Sequence, residues 1–355
     1  MFLRNFLLLA LGLSACAREL LQTDSNTQDT YTEGYVELEF PALQAIGTST
    51  TNVGFRPANF TAAYVTVSKP SVLNPDLPIL FFLPNWNVEP ELYTRFLQSL
   101  ADKGYAVVAA LTTETFPFPI EGMPYPGCPA EQLVPSAAAL SSFSSNFDQF
   151  AEYLGRQDNA TAPPSVVLLG AGPGAWSAML AATGACDNIR LLRDPEAIVY
   201  CNGWRGFAGS IKGVIMDEIS VNQLGTGFNL TNGQFALWLA GEWDHRNATI
   251  ITYQSSSGGA CSTYVGFWGV NDYAWVDYIG NATTGQRPAC AYKSPDAPVF
   301  QPTEEQQNHN IDLSVSLVDA YIRAALLKDT AAAEYVAGIG DDPQVREAVD
   351  TDCFV

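Results

Sequence analysis

The residues that invite a chemical reading lie between 165 and 174. Ser165-Val166-Val167-Leu168-Leu169 is a continuous apolar run, Gly170-Ala171-Gly172-Pro173-Gly174 follows, and a helical stretch over 175–182 comes next. A buried strand that bends tightly into a helix presents the central residue of the bend at the end of a sheet, where a hydroxyl can attack a carbonyl. Small residues are needed there, because the central backbone is strained and its neighbours pass close to one another. The central position is Gly172, which adopts such a backbone at no steric cost and carries no hydroxyl. The next residue would offer its amide to a developing oxyanion, and Pro173 has no N–H. Losing one such donor removes roughly 2.7–4 kcal/mol of transition-state stabilisation.

The elements able to position this bend alternate along the chain. Residues 63–68 alternate as a half-buried strand does, and 78–83 form an unbroken apolar run ended by Pro84-Asn85. Over 89–103, Leu92, Phe96, Leu97 and Leu100 share one helical stripe, with Gly104 as the stop. Residues 105–111 read as the next buried strand. A Pro- and Gly-rich excursion over 116–135 holds Cys128, and the helix after it carries Phe143, Phe147, Phe150 and Leu154. Further strands are expected at 213–216, 235–240 and 264–268, and an amphipathic helix over 313–328 closes the pattern. Strands separated by helices predict an α/β fold: a mostly parallel central sheet, helices on both faces and a site at the carboxyl ends of the strands. The expected organisation is a leader over 1–17, a polar linker over 18–33, one α/β domain over 34–340 and a C-terminal tail over 341–355.

From about residue 78 onward the motifs resemble, in order, those of the secreted α/β-hydrolases that include chlorophyllases, bacterial polyester (cutinase-like) hydrolases and related lipases. The bend at Gly172 is similar to the family's G-x-S-x-G nucleophile elbow, and Leu83-Pro84-Asn85-Trp86 to its first oxyanion-loop motif. Leu237-Trp238-Leu239-Ala240-Gly241-Glu242-Trp243-Asp244 is similar to the motif that ends in the catalytic acid. Phe267-Trp268-Gly269-Val270-Asn271-Asp272-Tyr273 is similar to the motif that presents the catalytic histidine. The resemblance implies an α/β-hydrolase fold with triad-equivalent positions at Gly172, Asp244 and Asp272 and oxyanion-equivalent positions at Trp86 and Pro173. Serine and histidine are both replaced, and an orienting aspartate without base or nucleophile performs no acyl transfer.

Other groups are candidate substitutes. His245 stands beside the sequon at Asn247 on what reads as an exposed loop, and His309 lies before the final helix at a surface or N-terminal helix position. Ser177 lies over a turn down the helix that follows the bend. If Asp272 and Asp244 stand at adjacent strand ends, with Asp217 and Glu218 ending the preceding strand, the carboxylates repel. One would then hold its proton, or a cation such as calcium would bridge them. More plainly, Asp272 is expected to be solvated or bonded to a backbone amide, and no metal or cofactor is expected. Asn85, Trp86, Trp176 and Trp243 flank motif positions and are expected to line a binding cleft, whereas tryptophans on strands read as core. The glycine-rich bend has neither the lysine of a P-loop nor the spacing of a dinucleotide fingerprint.

The address is legible too. Arg4, the apolar run 6–13 and Ser14-Ala15-Cys16-Ala17 make a secretory leader, too short to span a bilayer. Ala15-Cys16-Ala17 fits an ordinary cleavage site, while Leu13-Ser14-Ala15-Cys16 resembles a lipobox that would anchor a lipoprotein through Cys16. Cys128, Cys186, Cys201, Cys261, Cys290 and Cys353 remain, suited to disulfides of open connectivity. Pairs close in sequence, Cys186 with Cys201 or Cys261 with Cys290, are the first to consider. Sequons begin at Asn59, Asn159, Asn229, Asn247 and Asn281. With 37 acidic against 17 basic residues the chain lacks the cationic surface that nucleic acid or an anionic membrane requires. No later segment has the apolar length of a membrane helix.

The expectation is therefore a secreted, non-catalytic α/β-hydrolase-like protein whose cleft holds a small apolar or ester-like ligand or meets an extracellular protein. The competing expectation is an active carboxylic-ester hydrolase with a non-standard nucleophile or base. A structural role in a cell wall or matrix is the third.

Overall fold

A computed structural model of the chain describes residues 76–84, 90–112, 165–183, 210–217, 230, 233–241, 261–270, 275–277 and 303–354, with the backbone of three further strands. For residues 90, 91, 110–112, 173, 176, 177 and 180 the backbone alone is described. The strands are β1 (Tyr35–Glu39), β2 (Thr51–Phe55), β3 (Ala62–Val67), β4 (Ile79–Leu83) and β5 (Ala106–Thr112). Then come β6 (Val166–Ala171), β7 (Ile211–Asp217), β8 (Phe235–Gly241), β9 (Cys261–Phe267) and β10 (Val345–Val349). All lie in one sheet of order β1-β2-β3-β5-β4-β6-β7-β8-β9-β10. The stretch from β5 to β9 is parallel throughout, and antiparallel strands flank it on both sides.

Why these residues make parallel strands is visible in their burial. β4, β6 and β8 are buried at every position, so both faces of the sheet are covered and an unbroken apolar run is the matching sequence. The period of two sorts the side chains. Leu80, Phe82, Val107, Val167, Leu169, Leu237, Leu239 and Val265 share a core with helices α1 (Thr94–Asp102) and α3 (Glu304–Ile322). Their neighbours Ile79, Phe81, Leu83, Val166 and Leu168 are just as buried on the opposite face. There α2 (Pro173–Thr183) packs on β4, β6 and β7 through Ala175, Ala178, Met179 and Ala182. The chain is thus an α/β protein with a mostly parallel centre and helices on both faces.

The helices depart from the sequence reading at their ends, each for a local reason. Residues 90–93 form a single 3-10 turn, so regular α1 starts at Thr94; proline at the first position suits a helix entrance but bars helix before it. Phe96, Leu97 and Leu100 form its buried stripe, and Gly104 at φ 99° ends it. Helix α3 begins well before residue 313, because Thr303 and Gln306 form a capping box. The Gln306 amide donates to Thr303 Oγ1 (3.2 Å) and the Thr303 amide to Gln306 Oε1 (2.9 Å). It runs through a π turn at Arg323–Leu327 and stops at Lys328, whose φ of 57° is left-handed. Asp319 binds this helix to the α1–β5 turn, accepting from Tyr105 Oη (2.8 Å) and Arg323 Nε (2.7 Å). Burial first, and then Asp319, holds the Tyr105 hydroxyl far above its ordinary pKa.

Two expectations about the C-terminal end are corrected. Part of the segment set aside as a tail, β10, pairs antiparallel with β9 as the sheet's last described strand. It follows α4 (Thr330–Ala337), which is capped by Asp329. Cys261 is joined to Cys353 and not to Cys290, because the strand return of β10 carries the C-terminal turn back to the first residue of β9. Among the described residues no helix is long and apolar enough to cross a membrane.

Candidate functional site

Strand order locates the site before any side chain is considered. The chain leaves β4 for β5 on one side, and β6 lies on the other side of β4. The helices that follow β4 and β6 therefore cover opposite faces, the strand-order reversal at which open α/β sheets place a crevice beyond the carboxyl ends of the two strands. The segments meeting there are the end of β4 at Leu83-Pro84 and the bend between β6 and α2.

The bend has the build its sequence predicts. Gly172 has a left-handed φ of 52°; its amide donates to the Asp217 carbonyl of β7 (2.9 Å), and its carbonyl accepts from the Ala175 amide (3.1 Å). The flanking glycines serve contact and not torsion. A Cβ on Gly170 would overlap the backbone of Ala175, and one on Gly174 would overlap the Leu83 carbonyl and lie 2.8 Å from the Pro84 oxygen. Pro173 opens α2, a position that favours proline because the first helical amides have no partner within the helix. This arrangement can aim a side chain at the crevice, and the residue placed to carry it has none.

The other strand ends gather on the same edge. Ala171 is level with Asp217, Asp217 with Leu239, and Gly241 with Phe267, so β6 to β9 finish nearly in line. Asp217 is buried at 2% exposure, a carboxylate on the floor of this edge. The chain leaves β8 toward Asp244 and β9 toward Asp272, both outside the described residues. Also outside them are Asn85, Trp86, Trp243, Glu218, His245, every sequon asparagine, and Cys128, Cys186, Cys201 and Cys290. Trp176 and Ser177 lie on α2, where backbone alone is described. His309 is an exposed residue near the start of α3. Among the described residues no group of three or more His, Cys, Asp or Glu is placed to hold a metal ion.

The tryptophans divide differently from their sequence assignment. Trp238 and Trp275 are fully buried, Trp238 donating from Nε1 to Ser262 Oγ at 2.9 Å. Trp268, read as a strand core residue, falls just past the end of β9 and is 44% exposed. Gln344 holds its backbone on both sides, accepting from its amide and donating to its carbonyl, and the Arg346 guanidinium lies 4.8 Å from its ring centre.

One functional candidate escaped the sequence altogether. Asp277, beyond β9, accepts from the Arg95 amide in the first turn of α1 at 3.0 Å, and its own amide donates to the Leu92 carbonyl at 2.6 Å. Burial pushes its carboxyl up to about 6, against the lowering effect of the Arg95 and Thr94 amides. Nothing in the sequence marks this contact, since the partners are joined only by the fold. The chain matches no protein-family model, and no curated protein matches it.

Proposed function

We propose that this chain is an α/β-hydrolase-like protein that has lost hydrolytic chemistry and keeps the cleft, where it binds a small apolar or ester-like ligand or an extracellular protein. One observation carries the reading. At the carboxyl ends of β4 and β6, a left-handed strand-to-helix bend, similar to the one on which the hydrolases carry a nucleophile, holds Gly172, and Pro173 follows with no amide to donate.

A serine at such a φ stores about 1–2 kcal/mol of strain, which an enzyme retains because the hydroxyl is needed. Glycine removes that strain together with the hydroxyl, while the close contacts at Gly170 and Gly174 remain. The strand order, the bend and the common edge of β6, β8 and β9 support the hydrolase-like assignment, and the motifs leading to Asp244 and Asp272 supply the other two positions. The Cys261–Cys353 disulfide supports an oxidising compartment, in keeping with the leader and the sequons.

Two measurements on the purified full chain test this. Short-chain nitrophenyl esters should turn over no faster than in buffer; turnover that falls on Asp244→Asn or His309→Ala would establish the active hydrolase instead. The combined change Gly172→Ser, Pro173→Met and Asp272→His should raise ester turnover above that of the unaltered chain. A folded triple variant with no gain would mean that the crevice does not present residue 172 to a substrate.

A further inference from the structure

β10 is held at both of its ends, and the two holds differ in kind. At the carboxyl edge of the sheet Gln344, just ahead of β10, grips Trp268. Its carbonyl accepts from the Trp268 amide at 2.9 Å, and its side chain donates back to the Trp268 carbonyl. Arg346, the extra residue of a bulge opposite Phe267 and Gly266, lays its guanidinium over the same indole. At the amino edge the hold is covalent: Cys261, the first residue of β9, is bonded to Cys353 in the turn after β10.

The covalent hold is open to solvent on one side only. Cys353 is exposed, whereas Cys261 is half-buried and packed against the core shared with α1 and α3. Exposed disulfides are the labile ones, because exchange needs a thiolate to reach one of the two sulfurs. Neighbouring hydroxyls do not favour either sulfur. Tyr321 Oη lies 3.6 Å from Cys261 Sγ and 3.8 Å from Cys353 Sγ, and Thr263 Oγ1 lies 3.7 Å from the latter. Either thiolate would therefore leave beside a donor, and access decides which sulfur is attacked. Once the bond is cut, few contacts restrain the turn. Thr263 Oγ1 donates to the Asp350 carbonyl, Thr351 Oγ1 to the Ala337 carbonyl, and Phe354 meets Tyr321 edge-on. Against them stands Asp350, whose left-handed φ of 54° is costly for a residue with a Cβ. The core beneath is independent of the bond, since Tyr321 Oη donates to the Ala236 carbonyl at 2.8 Å.

We propose that Cys261–Cys353 is a redox latch, opened by a dithiol that attacks Cys353, and that opening frees β10 and its grip on Trp268 while the parallel core stays folded. The exchange is a two-electron transfer in two steps. A thiolate of the dithiol bonds to Cys353 Sγ, the Cys261–Cys353 bond breaks, and Cys261 leaves as a thiolate that takes a proton from water. The second thiol gives up its proton and attacks the sulfur of the first, so the dithiol departs as a disulfide and Cys353 as a thiol. A reaction at the amino edge thereby reaches an exposed indole at the carboxyl edge, through the one strand that touches both. The latch goes beyond the reading of the bend and holds whatever Gly172 faces.

Two measurements on the full chain in native buffer test it. Brief treatment with glutathione, quenched early with N-ethylmaleimide and mapped by mass spectrometry, should place glutathione on Cys353 and the maleimide on Cys261. The reverse placement, or equal shares, would refute the direction of attack. Site-resolved hydrogen exchange before and after dithiothreitol should show protection over 345–354 falling at least about tenfold. The Trp268 amide, which Gln344 holds, should follow, while the amides of β6 keep their protection. A bond that dithiothreitol cuts only in denaturant, a Trp268 amide that does not respond, or β6 amides that lose protection together with β10 would each overturn the latch.

Discussion

The two ends of the sheet are built on opposite principles. At the carboxyl end of β4 and β6, backbone meets backbone: Gly170 and Gly174 leave no room for a Cβ, and Gly172 contributes only its amide and carbonyl. At the amino end of β8 and β9, side chains do the fastening. Cys261 is joined to Cys353, the Phe354 ring meets Tyr321 edge-on at 4.8 Å, and Thr263 Oγ1 donates to the Asp350 carbonyl at 2.8 Å. Tyr321 Oη donates in turn to the Ala236 carbonyl, also at 2.8 Å. The first end offers bare backbone at its bend; the second holds the last described strand and turn against the sheet. The integrity of the fold rests on the core and on this second end, whichever residue the bend carries.

Three substitutions sharpen this contrast. Cys353→Ser should have the largest effect on stability. Its bond closes 92 residues, and removing such a crosslink costs about 4.6 kcal/mol by the chain-entropy account. Denaturant unfolding should show that loss, with exchange protection falling first over 345–354; a change below about 1 kcal/mol would mean that the ring contacts and β10 pairing suffice alone. Gly174→Ala comes next, at about 3 kcal/mol, because a single methyl group must displace the Leu83 backbone. A neutral result by the same assay would show that β4 and α2 can separate, and the crevice would then be softer than its packing indicates. Thr303→Ala should cost only about 1 kcal/mol, the worth of one cap, and loosen the first turn of α3 without touching either end of the sheet.

Legibility followed burial. β4, β6 and β8 were readable because a strand covered on both faces must be apolar throughout, and the bend at Gly172 because three closely spaced glycines after such a run have few other uses. The start of α3 was also written in the chain, as Thr303 and Gln306 ahead of the apolar stripe, but its first turns are largely exposed and so carry little apolar periodicity. β10 was hidden for a different reason: Val345-Arg346-Glu347-Ala348-Val349 is short, half polar and paired at its end of the sheet with β9 alone among the described strands. Trp268 shows the converse failure. An aromatic residue at the end of an apolar run looks like core, yet one residue past the strand it stands exposed beside Arg346.

By itself the amino-acid sequence determined the parallel centre of the sheet, the glycine bend and the absence from that bend of a hydroxyl and an amide proton, since these follow from residue type and local period. Tertiary structure alone decided that the bend meets the end of β4, that Cys261 finds Cys353 and that Asp277 accepts from the Arg95 amide of α1. Each of these joins groups far apart along the chain, and such a pairing is set by strand order and helix placement, which no local window of residues encodes.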